Sequence, residues 1–244
     1  MKKLIFSLVL SLAASTAHAM LINVDFGPSS SALYSGQGIL GTSSDTTWNA
    51  VDYSVDYLNP SNPPVVYSDL ALADGSGGSG VSVTTSFAAS FSNYPGTASN
   101  SLLGDRILYG ASASSTMETI TFTGLAANSL YDIVLYNGYF GQTYSADGQM
   151  ASTNPDASSP NSNYNDPVNP WTENVEYARL YSVMSDAGGQ LVITVTRVPQ
   201  GGESPPAVAV SGVQIASVPL PAALYLFVPG LAGLAGIGLR KRAS

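Results

Sequence analysis

The feature that most limits the folds open to this chain is a two-residue period in its apolar residues, repeated in short runs. Val81, Val83, Thr85 and Phe87 alternate with other residues, and so do Ile120 and Phe122, Tyr131, Ile133 and Leu135, and Leu191, Ile193 and Val195. Val51, Tyr53, Val55 and Tyr57 alternate with Asp52, Ser54 and Asp56, which puts apolar groups on one face and acids on the other. Successive side chains of a strand point to opposite faces, so each run reads as a half-buried strand. Leu21 to Phe26, closed by Gly27-Pro28, reads as the first strand, and Val208 to Ile215 as the last. Turn-forming clusters at 74–80, 186–189 and 199–206 separate the runs. No long stretch before Ala222 carries a helical period. The pattern predicts one all-β domain over residues 20–217, a jelly-roll-like β-sandwich with its first and last strands adjacent. Gly141 to Asn174 is dominated by Asn, Ser, Pro, Asp and Gly. It reads as a long polar surface loop, and loops beyond about 15 residues are functional or disordered.

Charge narrows the function classes. The chain has 244 residues and a net charge of −8, yet five of its eight basic residues sit at the two ends. Residues 20–217 hold all 16 acids against Arg106, Arg179 and Arg197. Such a body is unsuited to nucleic acid, where affinity comes from neutralising phosphates. The chain has no Cys and a single His, so there is no disulfide, thiolate metal site or thiol nucleophile.

The ends read as targeting segments. Lys2 and Lys3, the apolar stretch Leu4 to Ala14 and Ala17-His18-Ala19 follow the three-part plan of a secretory signal peptide, residues 1–19. Its removal takes away His18, leaving no imidazole for a Ser-His triad or a His-ligated metal. Ala222 to Leu239 is free of charge over a length of about 27 Å as a helix, enough to reach across a hydrocarbon core. Arg240, Lys241 and Arg242 follow, and the positive-inside rule keeps them cytoplasmic.

Val218-Pro219-Leu220-Pro221, the apolar span and the basic terminus together resemble a PEP-CTERM protein-sorting signal, here covering residues 218–244. Leu220 stands where the commonest form of that motif has Glu, and Val-Pro-Leu-Pro is a variant of it. The resemblance implies a Gram-negative bacterium that makes exopolysaccharide. It also implies export through the secretion machinery, transient anchoring in the inner membrane and cleavage near the motif by the membrane protease exosortase. The end point would be the cell surface or the extracellular matrix. A second resemblance lies in the body. Ile22 to Gly27, Tyr34-Ser35-Gly36-Gln37-Gly38 and Thr47-Trp48-Asn49 are similar to a motif series in exported bacterial sandwich domains, as is Leu125 followed by Tyr131 to Tyr136. The fold implied is galactose-binding-like, one that often carries carbohydrate, although fold alone confers no activity.

Candidate sites follow from residue chemistry. Sugars lay their C–H faces on aromatic rings while amides bond their hydroxyls. Trp48 with Asn49, Tyr136 with Asn137 and Tyr139, and Trp171 in the long loop could form such a platform, although Trp48 reads more readily as a core or edge-packing residue. Asp52 and Asp56 would lie about 13 Å apart on one strand face, beyond the separation used by glycosidases. Asp25, Asp147, Asp156 and Asp166 could offer oxygens to a structural calcium, but no EF-hand spacing appears and no ligands or cofactor are assigned. Gly-x-Ser-x-Gly is absent and the body has no Lys, so no nucleophilic triad or Ser-Lys pair is assigned. The arginines read as ion-pair partners, with Asp105-Arg106 at a strand edge.

These readings converge on an exported, exosortase-processed surface or matrix protein. It would be non-enzymatic and associate with extracellular polysaccharide. Two alternatives stay open: a polysaccharide-active enzyme working through carboxylates, and a structural or adhesive protein whose partners are proteins.

Overall fold

The computed structural model describes residues 19–27, 33–52, 66–87, 89–92, 102–103, 105–108, 116–137, 141–153, 171–198 and 208–219, with 89–92 and 105–108 as backbone only. Met20–Ser217 form one compact unit. The predicted signal peptide (apart from Ala19), the span Ala222–Leu239 and the basic terminus lie outside the described residues. Among the described residues no helix is long and apolar enough to cross a membrane.

The described residues of Met20–Ser217 are all-β. A five-stranded sheet runs in the order β11 (Tyr177–Met184), β8 (Leu130–Tyr136), β14 (Gly212–Ser217), β1 (Leu21–Phe26) and β2 (Trp48–Val51). A six-stranded sheet runs β10 (Gln149–Thr153), β9 (Gln142–Ala146), β12 (Leu191–Arg197), β7 (Met117–Thr123), β4 (Ser82–Thr85) and β3 (Val66–Tyr67). A small third sheet orders β13 (Ala209–Val210), β6 (Asp105–Leu108) and β5 (Ala89–Ser92), so Asp105 and Arg106 lie on its middle strand rather than at an edge. Among the described strands pairing is antiparallel except between β1 and β2. From β7 onward the chain crosses between the two large sheets at most connections, as in a jelly-roll-like sandwich.

The two-residue period builds the core. Ile22, Val24 and Phe26 of β1, Ile133 and Leu135 of β8, and Val213 and Ile215 of β14 face Val83, Ile120, Phe122, Ile193 and Val195 of the opposite sheet in one buried cluster. Each such side chain contributes about 1.5–3 kcal/mol by leaving water. The first and last strands pair antiparallel, Val24 opposite Val213, as the sequence predicts. The stretch Val208–Ile215 is not one strand, however. Ser211 interrupts it, bonding Tyr136 O through its amide and Phe26 N through its carbonyl, so β13 and β14 join different sheets.

The reading of 141–174 as one polar loop is corrected over its first part. Gln142–Ala146 and Gln149–Thr153 form a hairpin with Tyr144 and Ala146 turned inward. Asp147 and Gly148 both have positive φ, 45° and 76°, the two-residue turn whose twist matches that of the flanking strands. Residues 154–170 lie outside the described residues.

Candidate functional site

Every residue of β1 is buried, because its second face is covered too. A second apolar cluster lies on the outer side of the five-stranded sheet and comprises Leu21, Tyr34, Leu40, Trp48, Val134 and Tyr136, with Leu102, Leu103 and Ala73. It brings together three of the aromatic residues singled out from sequence. Trp48 and Tyr136 have ring centroids 6.0 Å apart, Tyr136 and Trp171 are 4.9 Å apart, and Tyr34 lies 5.2 Å from Trp48 and 5.8 Å from Trp171.

This cluster holds a loop onto the sheet. Trp48 Nε1 donates to Gly36 O at 2.8 Å, and Tyr34 N donates to Asp25 Oδ2 at 2.8 Å. Tyr136 OH donates to Gln214 Oε1 at 2.5 Å and accepts from Ile39 N at 2.7 Å. Gln214 Oε1 also accepts from Leu40 N at 2.8 Å, while its Nε2 donates to Asn23 Oδ1 at 2.7 Å. Asn23 Nδ2 completes the seam with bonds to Asp45 O and Thr47 O. The polar side chains of β1 and β14 thereby satisfy the backbone of residues 34–47, which could not otherwise be buried without unpaired amides. Burial pushes the Tyr136 phenol far above its ordinary range, and the Tyr34 phenol is raised by burial and then by Asp25.

With Trp48 at 3% exposure and Tyr136 at 0%, neither offers a ring face to a sugar. The structure gives both a packing role. Asn49 is likewise architectural. Its Nδ2 donates to Asn23 O and Ala71 O and its Oδ1 accepts from Ala71 N, so the side chain extends the sheet edge as a strand backbone would. Asn137 is fully buried at the end of β8 and its Nδ2 reaches Thr153 Oγ1 at 3.4 Å. Tyr139 lies outside the described residues. Trp171 remains half-buried, covering Tyr136.

Two further features carry no signal in the sequence. On β11 the outward residues Tyr177, Arg179 and Tyr181 form a strip. The Arg179 guanidinium pairs with Asp132 at 2.7 Å and lies 4.5 Å above the Tyr181 ring, and Tyr181 is 50% exposed. That ion pair raises the Arg179 pKa against the opposing effect of burial. Strand alternation places these three on one face, and only the fold makes that face exposed. The second feature is a polar patch inside the sandwich, where Gln142 and Arg197 are cross-strand partners beside Thr153 and Tyr144. Neither amide atom of Gln142 has a hydrogen-bond partner.

Among the described residues no group of three His, Cys, Asp or Glu could hold a metal. Of the acids that could offer oxygens to calcium, Asp25 is engaged with Tyr34 N and Asp147 Oδ2 accepts from Met184 N at 3.1 Å; Asp156 and Asp166 lie outside the described residues. Asp147 and Asp186 share a shallow pocket with Asn128 and Gln190, but Asp186 Oδ1 is committed to Gly188 N and Gln190 N. Asp56 is outside the described residues, so its expected wide separation from Asp52 is not tested.

No protein-family model matches the chain, and no curated protein matches it. Among solved structures it is similar to plant receptor-like kinase FER, at 14% identity and a TM-score of 0.39, over 82% of this chain and 42% of that one. It is also similar to plant receptor-like kinase ANX2 and to the ANXUR1 extracellular domain from Arabidopsis thaliana. For each of these the identity is 10% and the TM-score 0.33, over 58% of this chain and 50% of the other. The chain therefore spans half or less of the length of these proteins. The sandwich itself rests on the strand pairing above.

Proposed function

We propose that this chain is the precursor of an exported surface or matrix protein whose sandwich, Met20–Ser217, works by association, with protein partners meeting it on the outward strip of β11. The observation that carries this reading is the exposure of Tyr181 beneath an arginine already pinned by Asp132, with Tyr177 and Trp171 half-buried around Tyr136. Aromatic residues and arginine supply most of the binding energy at protein interfaces, and rigid ones lose little entropy on docking. Met184, 48% exposed on the same face, extends the strip with an adaptable apolar group. The other large aromatics of this side are occupied in holding residues 34–47, which favours association through β11 over a sugar platform on Trp48.

Delivery belongs to the same reading: residues 1–19 direct export, and 218–244 anchor the chain until exosortase cuts it near Val218-Pro219-Leu220-Pro221. Two measurements test the proposal. A photo-crosslinking residue in place of Tyr181, in cells making the full chain, should give discrete protein adducts that the same residue at Asp69 does not give. Mass spectrometry of the mature protein should find a C-terminus near 218–221, and neutral replacement of Arg240, Lys241 and Arg242 should leave it uncut. Equal adducts at both positions remove the β11 partner; an intact tail removes the sorting route.

A further inference from the structure

The outward face of the six-stranded sheet differs in chemistry from the rest of this acidic body. Thr119 and Thr121 of β7, Thr194 and Thr196 of β12, Thr143 of β9 and Thr84 of β4 occupy its middle, each alternating with an inward apolar or buried residue. The register aligns them into rows: Thr194 lies opposite both Thr119 and Ser145, Thr196 opposite Thr143, and Thr121 opposite both Val192 and Thr84. Every outward position on these four strands bears a hydroxyl except Met117 and Val192, with neither an ionisable side chain nor a ring among them.

The hydroxyls therefore repeat at about 6.8 Å along a strand and about 4.8 Å from strand to strand. Threonine is branched at Cβ and stiff about χ1, so these groups are held in place before anything binds. The charged residues, 10% of the chain, contribute none to this outward face. A cationic partner finds no carboxylate on the face, and an anionic one is repelled by the body around it. Among neutral partners, a hydroxyl-rich polymer matches the hydroxyl rows. Sheet twist decides its form: neighbouring strands rotate by about 20–25°, so the rows fan out, and a flat crystalline surface could touch few of them at once. A flexible chain can follow the fan.

We infer that this face docks single chains of neutral polysaccharide, the threonine hydroxyls exchanging hydrogen bonds with sugar hydroxyls and the methyls covering sugar C–H groups. Each sugar contributes little, and retention comes from repetition along the polymer. The site lies on a different sheet from β11, so each proposal can fail while the other stands.

Electrophoresis of the full chain in detergent through gels containing dextran, laminarin or galactomannan, with alginate as the anionic control, tests the inference. At least one neutral polymer should retard the chain and alginate should not. The Thr121→Val/Thr194→Val variant keeps the strand-forming branched shape and should melt within a few degrees of the parent. Its affinity should fall several-fold, and that of Thr121→Glu/Thr194→Glu at least about tenfold, since carboxylates would be desolvated against neutral hydroxyls. Four results would overturn it: no retardation by any neutral polymer, stronger retardation by alginate, unchanged retardation of both variants, or uptake into growing ice without retardation by polysaccharide.

Discussion

Gln214 shows how a single side chain sets the fate of a loop. It contacts Tyr136, Asn23 and the backbone of Leu40, and a Cβ on Gly38 would meet its amide group at 2.2–2.4 Å. Since those bonds fix the amide, Gly38→Ala has no flexible end to push aside. Gln214→Leu should cost at least about 2 kcal/mol by stranding Tyr136 OH and Leu40 N. It should also speed amide exchange at Ile39 and Leu40 more than in the core strands; uniform exchange throughout would contradict the clamp. Gln142 predicts the opposite sign. Its buried amide makes no hydrogen bond, so Gln142→Met should raise stability by about 1–3 kcal/mol, seen as a higher melting temperature. At this scale the sequence revealed that Trp48 and Tyr136 matter without showing in what way. A tryptophan beside an asparagine is compatible with a sugar platform and with a packed anchor, and only the covering loop decides between them.

The hairpin of β9 and β10 shows what composition hides from an element. Gln142 to Thr153 is polar enough to pass for loop, yet Tyr144 and Ala146 alternate with Thr143 and Ser145, and Asp147-Gly148 is a strong turn pair. The inward partners come from β12, far along the chain, so the pairing was not visible locally. Two glycines with similar backbone angles make a test of what a turn demands. Gly148 has φ 76° and open space around a Cβ, whereas Gly189 has φ 74° and would press a Cβ to 2.1 Å from Leu125 O. Gly148→Ala should cost about 1 kcal/mol, the conformational penalty alone. Gly189→Ala should cost clearly more, because the Leu125–Gly189 backbone contact must open; equal urea midpoints for the two variants would refute the distinction.

For the whole molecule, buried phenols tie stability to alkaline pH. Burial is the first cause that raises Tyr34, Tyr67, Tyr131, Tyr136, Tyr144 and Tyr177 above their ordinary value of 10.0. The unfolded chain releases these protons near pH 10 while the native state keeps them. Their contribution is therefore complete below pH 10 and lost as the pH rises beyond it. Tyr136 and Tyr144, both fully buried, should each add about 1.4 kcal/mol of destabilisation per pH unit above 10. Urea unfolding at pH 8 and pH 11 measures this, and a constant midpoint would mean that the phenols ionise in place. The sequence by itself determined the strand period, most turns, the adjacency of the first and last strands and the acidic character of the body, because these follow from residues close together or from simple counts. Only the tertiary structure decided that β1 is covered on both faces, that the aromatics close over a loop, and that threonines from four strands share one uncharged surface. Each of those depends on register between distant segments, and a shift of one residue in any strand would turn its side chains to the other face.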